Sequence, residues 1–190
     1  MDIFQIFKSK LRRHLLSLYF TNPAKKFYLR ELERILDFPV GNIRRELIRL
    51  EKTGLFLTEH KGNLVYYYLN QTYPLFAELK GIIAKTIGVP IIIASMLKKK
   101  KGIKQAFIYG SFAKNEQKPK SDIDIFIIGE IDEAELVKRC CKLEKELQRE
   151  INYTLYSPTD FTRKKKKKDP FLLEVLSQPK IFLIGSEDEL

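Results

Sequence analysis

The chain has 190 residues and a mass of 22.3 kDa, room for one medium domain or two small ones. Its hydrophobic share of 44 %, with 13 Phe and 9 Tyr, fills a core and excludes a disordered tail, a collagen-like chain and a low-complexity protein. Lys and Arg number 35 against 24 Asp and Glu, a net charge of +11 that is unevenly placed: residues 1–100 carry 18 basic and eight acidic side chains, residues 101–190 carry 17 and 16. A basic half joined to a balanced half predicts two jobs, the first on a polyanion; the plainer alternative is a solvated lysine-rich surface.

Apolar residues Ile3, Phe4, Phe7, Leu11, Leu15 and Leu18 recur at helical spacing until Asn22-Pro23 breaks the pattern. A short helix is predicted over Tyr28–Leu36, a turn at Asp37-Phe38-Pro39, and a third helix from Val40 to Thr53, ended by Gly54. Two β-prone runs, Leu55–His60 and Leu64–Leu69, flank Lys61-Gly62-Asn63 and predict a hairpin. Tyr73–Gly88 reads as an amphipathic helix with Phe76, Leu79, Ile83 and Ile87 in one stripe. Pro90–Lys98 reads as an apolar helix whose lysine run to Lys101 ends at Gly102. Beyond Gln105, strands are expected at Ala106–Tyr109, Asp122–Ile128, Ile151–Tyr156 and Lys180–Ile184. Helices are expected from Ser111, over Asp132–Arg149, and over Pro158–Lys166 and Pro170–Leu176.

The longest apolar run, Pro90–Leu97, is far below the roughly 20 residues of a membrane helix, so no span is expected. The start, Met1-Asp2-Ile3-Phe4, has no basic segment ahead of an apolar one, which predicts no export signal. Adjacent Cys140 and Cys141 build no disulfide framework and fit a reducing cytoplasm. They have no Cys or His neighbours at zinc-ligand spacing.

Rotating Val40–Lys52 by about 100° per residue puts Ile43, Leu47 and Leu50 on a core face. Gly41, Asn42, Arg45, Arg49 and Lys52 fall opposite, with Arg44 at the margin and Glu46 and Glu51 toward the flanks. Arginine and asparagine can bond guanine and adenine edges in a major groove, and the remaining cations, with Lys61 at the hairpin tip, can bond phosphates. The stretch VGNIRRELIRLEKTGLF…KGNLVYYYLN resembles the winged helix-turn-helix of ArsR-type and MarR-type regulators over about residues 5–70. That resemblance implies double-stranded DNA as a partner, held by Asn42, Arg44, Arg45, Arg49, Lys52 and Lys61.

The segment FIYGSFAKNEQKPKSDIDIFIIG carries the second chemistry. A strand runs into Gly110-Ser111 at a helix start, where backbone amides can approach a phosphate; Ser111 adds a hydroxyl and Lys114 a cation for a triphosphate. Asp122 and Asp124, two apart on a strand, point the same way with Cα atoms about 6.7 Å apart. Two such carboxylates repel unless a cation lies between them, and oxygen ligands suit Mg²⁺. The arrangement resembles the DNA polymerase β-like nucleotidyltransferase superfamily, in particular the minimal nucleotidyltransferases, over about residues 103–185. The resemblance implies Gly110 and Ser111 at the nucleoside triphosphate and Asp122 and Asp124 as catalytic metal ligands. Active members carry a third carboxylate on a later strand, where this chain has Asn152 and Thr154 in Ile151–Tyr156; Glu150 and Asp160 are the nearby acids. Lys164–Lys168 reads as a solvated run, its alternative being a contact with nucleic acid or nucleotide phosphate.

The expected fold is α+β: a winged helix-turn-helix domain at 1–72, linker or dimerisation helices at 73–102, and a small mixed-sheet nucleotidyltransferase-like domain at 103–190. The stripe on the linker helix could pair two copies as a homodimer or form the seam between domains. The leading functional expectation is a DNA-binding transcription regulator whose second domain binds a nucleotide, because the third carboxylate is missing. The alternative is an active Mg²⁺-dependent nucleotidyltransferase moving a nucleoside monophosphate onto protein, RNA or a small molecule. That alternative includes an antitoxin acting on a HEPN-type protein partner, as the resemblance implies.

Overall fold

The computed structural model describes residues 8–98, 102–114 and 121–190. Ile3, Phe4 and Phe7 of the expected first helix, and residues 99–101 of the first lysine run, lie outside them. The protein is α+β with two sheets, and the chain divides into two compact units, Met1–Val89 and Pro90–Leu190.

The first unit opens with α1 (Lys10–Thr21), whose first turn is capped by the Ser9 hydroxyl accepting from the Arg12 amide at 3.3 Å. A two-residue strand, β1 (Phe27–Tyr28), precedes α2 (Leu29–Leu36), which ends on Asp37 in the left-handed region. Helix α3 (Val40–Lys52) follows, then the hairpin β2 (Phe56–Lys61) and β3 (Leu64–Leu69), and then α4 (Phe76–Thr86). Strand β3 is central in an antiparallel sheet of order β1-β3-β2, and Lys61 faces Leu64 across the hairpin end. Strand β1 escaped sequence reading because two residues carry no period.

The helices form because their apolar residues share one face, and that face is the core. Leu15 and Leu16 of α1, Leu32 of α2, and Ile43 and Leu47 of α3 are fully buried. Each such side chain contributes about 1.5–3 kcal/mol relative to exposure. Tyr19 sits at the centre, edge-on to Phe27 and Phe56 at 5.2 and 4.8 Å, and its hydroxyl donates to the Tyr67 carbonyl at 3.0 Å. That bond is what allows a phenol to be buried there. Leu79 and Ile83 of α4 belong to the same core, with Phe76 and Ile87 packed against it. The stripe expected to pair copies or seal a domain seam is therefore the fourth helix of the first unit's own core.

Helix α5 (Val89–Lys98) leads into β4 (Ile103–Tyr109), the short α6 (Gly110–Ala113), β5 (Ile123–Gly129) and α7 (Glu133–Leu147). Then come β6 (Ile151–Tyr156), α8 (Pro158–Lys166), α9 (Pro170–Ser177), β7 (Ile181–Ile184) and a 3₁₀ turn at Glu187–Glu189. The four-stranded sheet has the order β6-β5-β4-β7; β4 is antiparallel to β5 and β7, while β5 and β6 are parallel. A parallel pair needs a crossover, which α7 supplies. Phe107 and Phe126 stack at 5.3 Å on the sheet, under Phe161, Leu172 and Val175. Taken together as Phe76–Lys98, α4 and α5 make 23 residues long and apolar enough by length and composition to cross a membrane, a third of the most apolar window (33 %) being buried. No span of that length was expected from single apolar runs.

Candidate active site

Strand β4 delivers Tyr109 opposite Asp124 of β5. The backbone then turns at Gly110, with φ +71°, into the four residues of α6. A Cβ placed on Gly110 would lie 2.7 Å from the Asp124 Oδ2. Glycine is required twice over, by the left-handed backbone and by the carboxylate pressed against it. The Gly-Ser turn and the Asp-x-Asp pair, ten residues apart in sequence, are thus in contact. Ser111 is half-buried in the turn; Lys114 closes it, its amide donating to the Gly110 carbonyl at 3.1 Å and its side chain exposed.

Asp122 lies just ahead of β5 and Asp124 two residues on, both half-buried. Parallel β6 brings Asn152 into register with Asp124, and the Asn152 Nδ2 donates to the Asp122 Oδ2 at 3.1 Å. Partial burial raises the Asp124 carboxyl above its usual value; the Asn152 amide pulls it down, and the Asp122 charge pushes it further up. Glu150 meets the strand of the aspartate pair through its backbone, and the Asp160 side chain has partners of its own. The Glu150 carbonyl accepts from the Ile123 amide at 2.9 Å, and Asp160 is engaged by Ser157 at 2.8 Å and Arg163 at 2.5 Å. Among the described residues, no group of three or more His, Cys, Asp or Glu could hold a metal ion.

Sequence reasoning missed Arg149. It is 6 % exposed, and its Nη1 donates to the Ser121 carbonyl at 2.8 Å, fixing the backbone that enters Asp122. Burial lowers its pKa while the Asp122 charge opposes that shift. The available signal was an arginine between the apolar end of α7 and an apolar strand. Tyr109 is a second such residue: burial raises its phenol, a hydrogen bond with Thr154 opposes this, and the Asp124 charge adds to the rise.

On α3, Ile43, Leu47 and Leu50 are buried, and Asn42, Arg44, Arg45, Arg49 and Lys52 are exposed, in keeping with the helical rotation. Arg45 donates to the Asn42 Oδ1 at 2.5 Å. Glu46 is not a flank residue: it is 5 % exposed, ion-paired with Arg12 of α1, and 3.5 Å from Arg49. Lys61 is exposed at the end of β2, 3.3 Å from Glu59 and over the Tyr66 ring. The run Lys164–Lys168 is not uniformly solvated. Lys164 donates to the Tyr156 hydroxyl at 2.7 Å and lies 4.2 Å from its ring centre, and Lys165 donates to the Leu190 carbonyl at 2.5 Å. Cys140 and Cys141 are free; burial, then the Glu144 charge, pushes the Cys140 thiol up to about 11, which leaves it unreactive at neutral pH.

A family model described as polymerase beta, nucleotidyltransferase matches residues 92–188. The chain is 39 % identical over 71 residues to the "Putative protein adenylyltransferase MJ0435" of Methanocaldococcus jannaschii, an alignment covering 36 % of this chain and 70 % of that protein. A crystal structure described as a toxin-antitoxin with AMP-PNP is similar at 17 % identity and a TM-score of 0.38, covering 53 % of this chain and 74 % of that one. A candidate nucleotidyltransferase from Sulfolobus solfataricus is similar at 17 % identity and a TM-score of 0.28, covering 49 % and 73 %.

Proposed function

Because the chain belongs to the polymerase β nucleotidyltransferase family, we propose that its second unit transfers a nucleoside monophosphate from a triphosphate to an acceptor hydroxyl. Adenylyl transfer to a protein is the favoured case, given the 39 % identity to the Methanocaldococcus jannaschii relative. The observation that carries this reading is the contact between the Gly110 turn and the Asp124 carboxylate. It brings a backbone suited to phosphate next to two carboxylates that share one face.

The donor set fits Mg²⁺, which is commonly held by one or two carboxylates together with substrate phosphates. Asp122 and Asp124 would hold it, and the partial burial that raises the Asp124 carboxyl above its usual value favours a compensating cation. When bound, such an ion neutralises charge developing on the transferring phosphate. The Gly110-Ser111 amides and the Ser111 hydroxyl orient the triphosphate, and Lys114 adds positive charge. Arg149 holds the Asp122 backbone in place. The acceptor oxygen bonds to the α-phosphorus as the bond to pyrophosphate breaks. Asn152 cannot take the hydroxyl proton, so that proton goes to solvent. Phosphoryl-type transfer relies mainly on positioning and charge, so the missing base slows the reaction without abolishing it. Incubating the full chain with α-labelled ATP and Mg²⁺ tests this; label retained on protein after denaturation supports it, and none in the presence or absence of candidate acceptors overturns it.

For the first unit, the exposed Asn42, Arg44, Arg45 and Lys52 on one face of α3 support a winged helix-turn-helix that docks on duplex DNA. On this reading the basic unit places the transferase on nucleic acid and could serve regulation. A HEPN-type partner as acceptor is the variant of the transferase reading that co-expression and mass measurement would test.

A further inference from the structure

At the far end of the four-stranded sheet from the Asp122–Asp124 pair lies a cavity of about 840 Å³, inside the range of small-molecule sites. Gln105, at the beginning of β4, lines it. Gln105 and Tyr109 are four strand steps apart, about 13 Å, so the cavity is separate from the Gly110 turn. Ile128 and Phe161 give it apolar walls, and Lys104, Lys165 and Lys166 ring it with exposed cations.

Gln105 is the unusual member. It is 5 % exposed, yet its Oε1 has no hydrogen-bond partner among the described residues. A buried acceptor left without a donor is destabilising, and a ligand that brings an N–H to it removes that cost. An amide also offers N–H donors beside the oxygen, a pairing that matches the N6 and N7 edge of adenine. A planar base fits between apolar walls and places its amine on the amide, while its phosphate reaches lysines. Among the described lining residues, Glu189 is turned to the Ser186 amide at 3.1 Å, and Lys165 donates to the Leu190 carbonyl at 2.5 Å, a bond that the phosphate would replace.

We infer that this cavity is a second, non-catalytic site for an adenine nucleotide, with the base on Gln105 and the phosphate on Lys165 and Lys166. The nucleotide could be free or the terminal residue of an RNA strand, since both present the same base and phosphate. The inference stands whether or not the Asp122–Asp124 site turns over.

The test is calorimetric titration of the full chain with AMP in EDTA, using wild type, Asp122→Asn/Asp124→Asn and Lys165→Ala/Lys166→Ala. Binding that persists in the aspartate variant and weakens at least 10-fold in the lysine variant is expected, with GMP binding at least 10-fold more weakly than AMP. Gln105→Leu, checked for folding by circular dichroism, should remove the preference for AMP over GMP. Oligo(A) binding no better than AMP assigns the free nucleotide, and better binding assigns the strand end. Loss of AMP binding in the aspartate variant, indifference to the lysine pair, no binding at millimolar AMP, or displacement of AMP by an acidic peptide but not by oligo(A) would each overturn the assignment.

Discussion

The Asn152 amide donates to the Asp122 carboxylate at 3.1 Å, so a neutral side chain occupies the strand position from which an acid would complete the aspartate pair. The same register that sets Asn152 against Asp124 makes Asn152→Asp a clean restoration of charge. A general base contributes about 10²–10⁴-fold, so transfer by Asn152→Asp should rise by about 10²-fold, with tighter Mg²⁺ dependence. Steady-state label transfer across a Mg²⁺ series checks this; an unchanged rate would mean that some other group already takes the proton.

Gly110 makes the second prediction. A non-glycine residue in the left-handed region costs about 1–2 kcal/mol, and the added Cβ of Gly110→Ala would meet the Asp124 Oδ2 at 2.7 Å. The variant should be less stable by at least that much and should lose triphosphate binding more severely than Ser111→Ala. Thermal melts and nucleotide titration separate the two effects, and wild-type nucleotide affinity would detach the turn from the phosphate.

The resemblance to a nucleotidyltransferase was legible because strand, Gly-Ser and Asp-x-Asp are local signals, and the strand Ile151–Tyr156 was read to its last residue. Arg149 was not legible, because its role is a bond to the Ser121 carbonyl 28 residues away. Glu46 was misread for the same reason: helical rotation places it at a flank, and only the packing of α1 brings Arg12 over it. The α4 stripe showed that Phe76, Leu79, Ile83 and Ile87 would be covered without showing by what. A helical period reports a buried face; the partner of that face depends on chain path.

Asp124 sets a pH dependence. Burial raises its folded-state pKa, and the Asp122 charge adds to this against the pull of Asn152. The folded state therefore holds a proton that the unfolded chain releases earlier, so stability of the metal-free protein falls as pH rises through the ordinary carboxylate range toward the raised value. Mg²⁺ must displace that proton, so metal affinity should weaken on acidification through the same window. Carboxyl NMR titration is expected to show Asp124 titrating above the ordinary aspartate value, and lower in Asp122→Asn. An Asp124 that titrates as in a free peptide would remove the argument.

Arg12 and Glu46 form a buried pair, with side chains 13 % and 6 % exposed. Removing one partner from such a pair costs about 3–5 kcal/mol, because a charge is left buried alone. Arg12→Ala should therefore destabilise the chain by about 3 kcal/mol in urea unfolding, with Arg49, 3.5 Å from Glu46, too exposed to replace it. Arg12→Met combined with Glu46→Leu should recover much of that loss. A double variant no more stable than Arg12→Ala would mean that the pair organises α1 on α3 by geometry rather than charge.

The basic face of α3 makes the last prediction, on the first unit alone. Arg44 and Lys52 are exposed on that helix, while Ile43, Leu47 and Leu50 on the other side hold it in the core, so Arg44→Ala and Lys52→Ala should leave folding intact. Each phosphate contact contributes about −0.9 to the slope of log K against log salt. Anisotropy titrations of labelled duplex DNA at several salt concentrations should show the double variant binding more weakly, with the slope shallower by up to about 2. Arg45 is a different case, because it bonds Asn42 at 2.5 Å, and on the proposed docking the two together would read a base edge. Arg45→Ala should change sequence preference more than salt slope. Equal slopes for wild type and the Arg44–Lys52 variant would remove α3 from the nucleic-acid surface and leave its charge as a solvated helix face.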